Sequence, residues 1–233
     1  MSRYLEFFLK FQKIGQIDFD SFDDFCRVVY ENLEVEGDYS LGDAILVLGY
    51  SGNGKTTWIN QFLKLHPEYR CVSMDEVGKK LLQEGKNVNN PYLMVEEFGR
   101  EIDACARSKT PIILDGRFLN LLTRCCLSQT LHSYGYFVHA VDLTDDILKI
   151  LPYRIFDYCG RDLGVKITNE NVSALSRTPV FQRRYQDIMR FYEREKQSSF
   201  FEEQKKNGSI YYDIDGIISK DVVLKSPNKE SNK

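Results

Sequence analysis

The feature that most constrains this chain is a junction near residue 49. The unbroken apolar run Ala44-Ile-Leu-Val-Leu48 meets the glycine-rich segment Gly49-Tyr-Ser-Gly-Asn-Gly-Lys55-Thr56. Residues 56–65 then place Trp58, Ile59, Phe62 and Leu63 at helical spacing. An apolar run without alternation suits a strand covered on both faces, as in a parallel sheet. The glycine-rich segment matches G-x-x-x-x-G-K-[ST], and it has the context that gives this pattern meaning: a strand before it and a helix behind it.

The rest of the chain repeats the alternation. Apolar runs at 71–74, 111–114, 137–143 and 210–214 predict strands. Helical patterns fall between them at 76–83, 91–106, 119–132 and 145–158. A long charged helix is expected over 179–205, capped by Thr178 with Pro179 at its first position. Strand and helix in turn are the pattern of a doubly wound α/β domain. The expected fold is therefore a three-layer phosphate-loop NTPase, with a mainly parallel sheet flanked by helices. N-terminal helices precede it: Tyr4, Phe7, Phe8 and Phe11 recur at helical spacing, as do Phe22, Phe25, Cys26 and Val29 after Asp18, Asp20 and Ser21. These stripes predict helices docked on the main domain as core, with partner binding as the alternative. The expected division is a helical extension over 1–40, a main domain over 41–225 and a polar, disordered tail over 226–233.

Composition narrows the function classes. The 233 residues carry a net charge of −3 with 28% charged side chains. No strongly basic coat for nucleic acid is present, so extended duplex binding is not expected. The six cysteines show no C-x-x-C spacing, and several lie in apolar stretches, as buried thiols in a reducing compartment do. His66, His132 and His139 lack metal-ligand spacing. No apolar run is long enough to span a bilayer, and the N-terminus MSRYLEFFLKFQ does not read as a signal peptide. A cytoplasmic protein without membrane contact is expected.

The loop dictates a ligand. Its glycines, Gly49, Gly52 and Gly54, let backbone N–H groups of Tyr50, Ser51 and Asn53 and their neighbours converge on phosphate oxygens, and the following helix adds the positive end of its dipole. Lys55 reaches the terminal phosphates and the Thr56 hydroxyl ligates magnesium, with Thr57 beside it in the first helical turn. ATP with Mg2+ is the expected pair. Kinases, GTPases, motors and switches all use such a loop, so the reaction must be read elsewhere. No N-K-x-D guanine-reading motif is present at the end of a late strand; Asp75-Glu-Val-Gly78 fits D-x-x-G but comes too soon after the loop and is read as coincidence. Ile112-Ile-Leu-Asp115 has the form of a Walker B strand whose carboxylate supports magnesium, and it is followed by Gly116 rather than a water-activating glutamate. Met74-Asp75-Glu76 is an alternative Walker B on a shorter, more polar strand.

Strand ends line the ligand crevice of an open α/β sheet, so Asp75 and Asp115 are both expected near the γ-phosphate. One can hold the metal shell and one can accept the proton of an attacking hydroxyl. The plain alternative is that each caps the helix behind it. Arg154 and Arg161 flank residues 155–160, and Arg177, Arg183 and Arg184 open the long helix. Arginines on a lid stabilise transferring phosphate, and Arg154 is the leading lid candidate; a solvated surface charge is the alternative for each.

Together the GYSGNGKTT unit, VSMDEV, IILDGRFLN, the following apolar strand and Arg154 resemble the polynucleotide-kinase-like and zeta-toxin-like phosphate-loop kinases, over about residues 44–192. The resemblance implies a phosphotransferase that moves the ATP γ-phosphoryl group to a hydroxyl of a small molecule, nucleoside or nucleic-acid end. It implies that Asp75 is the general base and that Asp115 serves the metal. That family's third strand is usually followed by Asp-x-Thr-Asn and a basic residue; here the segment is Asp115-Gly-Arg117-Phe-Leu-Asn120 with Arg124 beyond. Its lid often reads Arg-Asn-x-x-Arg, of which Arg154 and a displaced Arg161 remain. Arg117, Arg161, Arg183 and Arg184 are thus the candidate acceptor or lid contacts. The rival class is an ATP-hydrolysing or ATP-switched regulator whose N-terminal aromatic helices contact a partner.

Overall fold

The structure is a computed structural model that describes residues 1–18, 21–32, 40–50, 53–144, 156, 160, 163–166, 168, 170–199 and 214–224. The apolar run becomes β1 (Gly42–Leu48), at the centre of a five-stranded sheet. Its companions are β2 (Arg70–Ser73), β3 (Ile112–Asp115), β4 (Tyr136–Asp142) and β5 (Gly216–Ile217), in the order β2-β3-β1-β4-β5. All neighbouring pairs among these strands are parallel. The order sets β3 between the loop-bearing strand and β2, with Val47 opposite Asp115 and Ser73 opposite Asp115 on the other side.

Period-two geometry divides β1 between two cores. Ala44, Leu46 and Leu48 face the larger one, and Ile45 and Val47 the smaller. All five are fully buried, at about 1.5–3 kcal/mol for each large side chain. The smaller core is roofed by α3 (Lys55–Leu65) through Trp58, Ile59 and Phe62. A 3-10 turn, Lys220–Leu224, packs on α3, and Trp58 Nε1 donates to the Lys220 carbonyl at 2.8 Å. The larger core receives α4 (Met74–Gln83), α5 (Pro91–Arg107) and α6 (Leu121–His132). Helices on both faces of a parallel sheet make the three-layer α/β arrangement of a phosphate-loop NTPase-like fold.

The N-terminal α1 (Arg3–Ile14) explains an oddity of α6. That helix carries almost no amphipathic contrast, and all its residues but Leu122 and Thr123 are buried. A helix enclosed on all sides needs a cover on the face away from the sheet; α1 supplies it, packing on both α5 and α6. Tyr4, Phe11 and Ile14 enter the larger core, as expected of the aromatic stripe. Ser2 caps α1 by accepting from Leu5 N–H at 3.2 Å, and its own N–H donates to Glu96 Oε2 at 2.7 Å. Tyr4 meets Phe98 edge to face at 5.8 Å. Gly99 sits mid-helix in α5 because a Cβ there would collide with the Ser2 side chain. The second stripe forms α2 (Phe22–Glu31), with Cys26 and Val29 buried in the same core.

Two further elements were not foreseen, the 3-10 turn and the short α7 (Val172–Ser176). The long helix, α8, is described over Pro179–Ser199, and the Thr178 hydroxyl accepts from Phe181 N–H at 3.2 Å, the expected cap. The last strand was expected at 210–214. Residues 210–213 lie outside the described residues, and the observed pairing runs through Gly216 and Ile217. Asp215 anchors it: Oδ2 accepts from Val138 N–H at 2.6 Å and lies 2.9 Å from His132 Nε2. Most of the helix expected at 145–158, Cys159, the end of the long helix at 200–205 and the tail at 226–233 also lie outside the described residues. Cys26, Cys71, Cys105, Cys125 and Cys126 form no disulfide. Among the described residues no helix is long and apolar enough to cross a membrane.

Candidate active site

Gly54 is the hinge between loop and helix. It is the N-cap of α3 at φ +83°, a left-handed conformation that costs an L-residue about 1–2 kcal/mol. The turn it permits puts Lys55, Thr56 and Thr57 at the start of α3, with Thr56 and Thr57 exposed. Lys55 Nζ folds back to donate to the carbonyls of Gly49 and Tyr50, at 2.8 and 3.0 Å. Tyr50 is buried against the larger core. The Asn53 amide Nδ2 donates to the Leu143 carbonyl just beyond β4, tying the loop to the neighbouring strand. Its Oδ1 is buried with no hydrogen-bond partner among the described residues. Ser51 and Gly52 lie outside the described residues.

The parallel register carries Asp115, at the carboxyl end of β3, to the start of α3. Thr56 Oγ1 donates to Asp115 Oδ2 at 3.4 Å, a long bond between two hard oxygen atoms of the kind magnesium accepts. Asp115 is half-buried, and burial pushes its carboxyl above the usual carboxylate range. Lys55 pulls it down, Asp75 pushes it up, the Thr56 hydrogen bond pulls it down and Glu76 again pushes it up. The Cys71 thiol is pushed up to about 11 by burial, aided by Asp115 and Glu76. The end of β3 is therefore a place of concentrated negative charge beside a hydroxyl. Mg2+ bound by one or two carboxylates plus substrate phosphates asks for that donor set. Thr56 and Asp115 fit it by chemistry, and Lys55 with the loop backbone fits a triphosphate.

Asp75 stands differently from its expected place. The sequence put it at the end of a strand, but β2 stops at Ser73 and α4 begins at Met74 without an intervening loop. Ser73 takes the extended N-cap position, and Asp75 and Glu76 occupy the first turn, where a helix dipole favours carboxylates. The alternative Walker B at 74–76 is thus helical. Asp75 remains close enough to act electrostatically on Asp115. It is exposed, and it lines a cleft of about 330 Å3 together with Gly116 and Arg117.

The arginines divide. Arg117 is exposed on the turn after β3, on the rim of that cleft. Arg124 is fully buried: Nη1 donates to the carbonyls of Leu119 at 2.9 Å and Phe118 at 3.5 Å. It shapes the turn that follows Asp115. Arg183 and Arg184 are exposed on the first turns of α8 and do not line the cleft beside Asp75. Arg154 and Arg161 lie outside the described residues. Tyr4 and Phe8, which line the same cleft, are read from sequence only as apolar helix positions, and Met94 only as part of the helical stretch 91–106. Their signal is periodicity, and periodicity cannot tell core from pocket wall.

No protein-family model matches this chain, and no curated protein matches it. Among solved structures it is similar to a chain from a characterisation of the PezAT chromosomal toxin–antitoxin system of the human pathogen Streptococcus pneumoniae. The identity is 14%, the match covers 79% of this chain and 99% of that one, and the TM-score is 0.33. A likeness of that degree carries no weight on activity, which is argued from the residues alone.

Proposed function

We propose that this protein is an ATP-dependent phosphotransferase of the polynucleotide-kinase-like and zeta-toxin-like kind, acting on a hydroxyl acceptor with Mg2+. The observation that carries the proposal is the meeting of Thr56 and Asp115 at 3.4 Å behind a strand–loop–helix phosphate cradle, with Asp75 beside them at the mouth of a cleft. In the reaction the acceptor oxygen attacks the γ-phosphorus, the bond from that phosphorus to the β–γ bridging oxygen breaks, and ADP leaves. The hydroxyl proton passes to Asp75. Lys55 turns from the loop carbonyls to the terminal phosphates, and the loop amides hold the chain of phosphates. Thr56 and Asp115 would hold magnesium, which would supply charge neutralisation to the phosphates. Arg154 and Arg161 are the proposed lid cations, with Arg183 and Arg184 as further candidates; Arg117 is the proposed acceptor contact.

Gly116 follows Asp115 where a hydrolytic ATPase of the Walker B type carries its glutamate, which favours transfer over steady hydrolysis. The burial of Tyr4 and Phe11 also removes the two outer members of the aromatic stripe from any partner surface. The test is transfer of labelled phosphate from ATP to a panel of nucleosides, sugars, oligonucleotide ends and extracted metabolites. Transfer should be seen with the wild type and be abolished by Asp75→Asn, with ATP affinity nearly intact. Full transfer by Asp75→Asn would remove the base assignment, and hydrolysis without any phosphorylated acceptor would favour the regulator class.

A further inference from the structure

Resting on that kinase assignment, we infer that the cleft beside Asp75 is the acceptor site. Its ligand class is a small molecule that carries its hydroxyl on an aromatic or other flat apolar body, with an anionic substituent, rather than a nucleic-acid end. The cleft lies between α1, the start of α4, α5, the turn after β3 and the first turn of α6. At about 330 Å3 it falls in the range of small-molecule sites, about 300–1,000 Å3. Such a volume holds one substituted ring.

Its chemistry is uneven. Tyr4, Val95 and Phe118 are buried and form the floor. Phe8, Met74 and Met94 are only part-buried and present apolar surface above it. Two methionines offer polarizable, adaptable contact to an aromatic face. Phe8 is braced in position by Tyr92, edge to face at 6.3 Å. The polar side chains are few: Asp75, Arg117 and Thr123, besides the Tyr4 hydroxyl. Asp75 is committed to the hydroxyl, which leaves Arg117 to meet an anionic group on the acceptor.

The same inventory disfavours a strand end. Nucleic-acid sites track successive phosphates with repeated cations. Among the residues lining this cleft Arg117 is the one cation. The N-terminal helix, which the family resemblance does not cover, thereby becomes a wall of the acceptor site through Tyr4 and Phe8.

Binding is tested without nucleotide by ligand-observed NMR and calorimetry. The probes are 4-(hydroxymethyl)benzoate, benzyl alcohol and a 5′-hydroxyl oligothymidylate. Both benzyl probes should bind in the millimolar range or tighter. Met94→Trp, which fills the cleft, should weaken both by at least about tenfold. Arg117→Gln, at an exposed position, should weaken the benzoate by about tenfold and leave benzyl alcohol unchanged. Urea midpoints establish that each variant is folded, and Arg117→Gln carries the test if Met94→Trp is not. Absence of benzyl binding, binding unmoved by the folded variants, or tighter binding of the oligothymidylate that Met94→Trp blocks would each overturn the inference. Labelled-ATP transfer separates the two assignments. Transfer to the oligothymidylate without benzyl binding keeps the kinase and overturns the acceptor class. Cleft binding of the benzyl probes, with no acceptor phosphorylated, overturns the kinase and supports the ligand class.

Discussion

Replacing Lys55 with methionine keeps the aliphatic stem and removes the ammonium that donates to the Gly49 and Tyr50 carbonyls. In the wild type, binding a triphosphate exchanges those two contacts for contacts to phosphate oxygens. The exchange gains only the difference between a cation bonded to a neutral carbonyl and a cation bonded to an anion. That difference is about 1–1.5 kcal/mol per bond. Two bonds give about 2–3 kcal/mol, or roughly 30- to 150-fold in affinity. The assay is anisotropy of a fluorescent ATP analogue with Mg2+, alongside urea unfolding to establish that Lys55→Met is folded. Lys55→Arg should recover little, because a planar fork does not reproduce a compact ammonium at the end of a flexible stem. A folded Lys55→Met with less than about threefold loss would refute the exchange and the placement of phosphates at Lys55.

Asp115 should leave a signature in the pH dependence of stability. Its carboxyl is held above the ordinary value of 3.8, chiefly by burial, so the folded state favours its proton. The resulting stability is fully present below the ordinary carboxylate pKa and is lost as pH rises through the raised folded value. Without Mg2+, melting temperature compared between wild type and Asp115→Asn should show that loss only in the wild type; a pH-independent difference would contradict it. Gly54→Ala places a side chain at φ +83° and should cost about 1–2 kcal/mol, read as a lower urea midpoint with an unchanged slope. An unaltered midpoint would rule out the left-handed cap.

Much of the fold was legible because burial on two faces leaves a plain mark. Ala44–Leu48 shows no alternation, and all five residues are fully buried. The phosphate loop was legible because glycine, lysine and threonine at fixed spacing have few other uses. Asp75 was harder. Whether a residue after a strand belongs to its end or to the next helix depends on whether a loop intervenes, and here none does. The pairing of β5 was not legible because it falls beyond the apolar run 210–214, most of which lies outside the described residues, and is anchored by polar Asp215 on His132 and Val138. Strand order, the enclosure of α6 and the cleft all arise from long-range packing, which no local period encodes.

The seat of α1 has a consequence for how the chain acquires its structure. The Ser2 N–H meets Glu96 across 94 positions of sequence, and Arg3 donates to the Ser133 carbonyl across 130. During synthesis the first helix emerges with Tyr4 and Phe11 uncovered, and its partners α5 and α6 follow only much later. Contacts so distant in sequence require loop closure before they repay it, and they slow folding. The opening segment is therefore a stretch of this chain that needs shielding until α5 and α6 have been made.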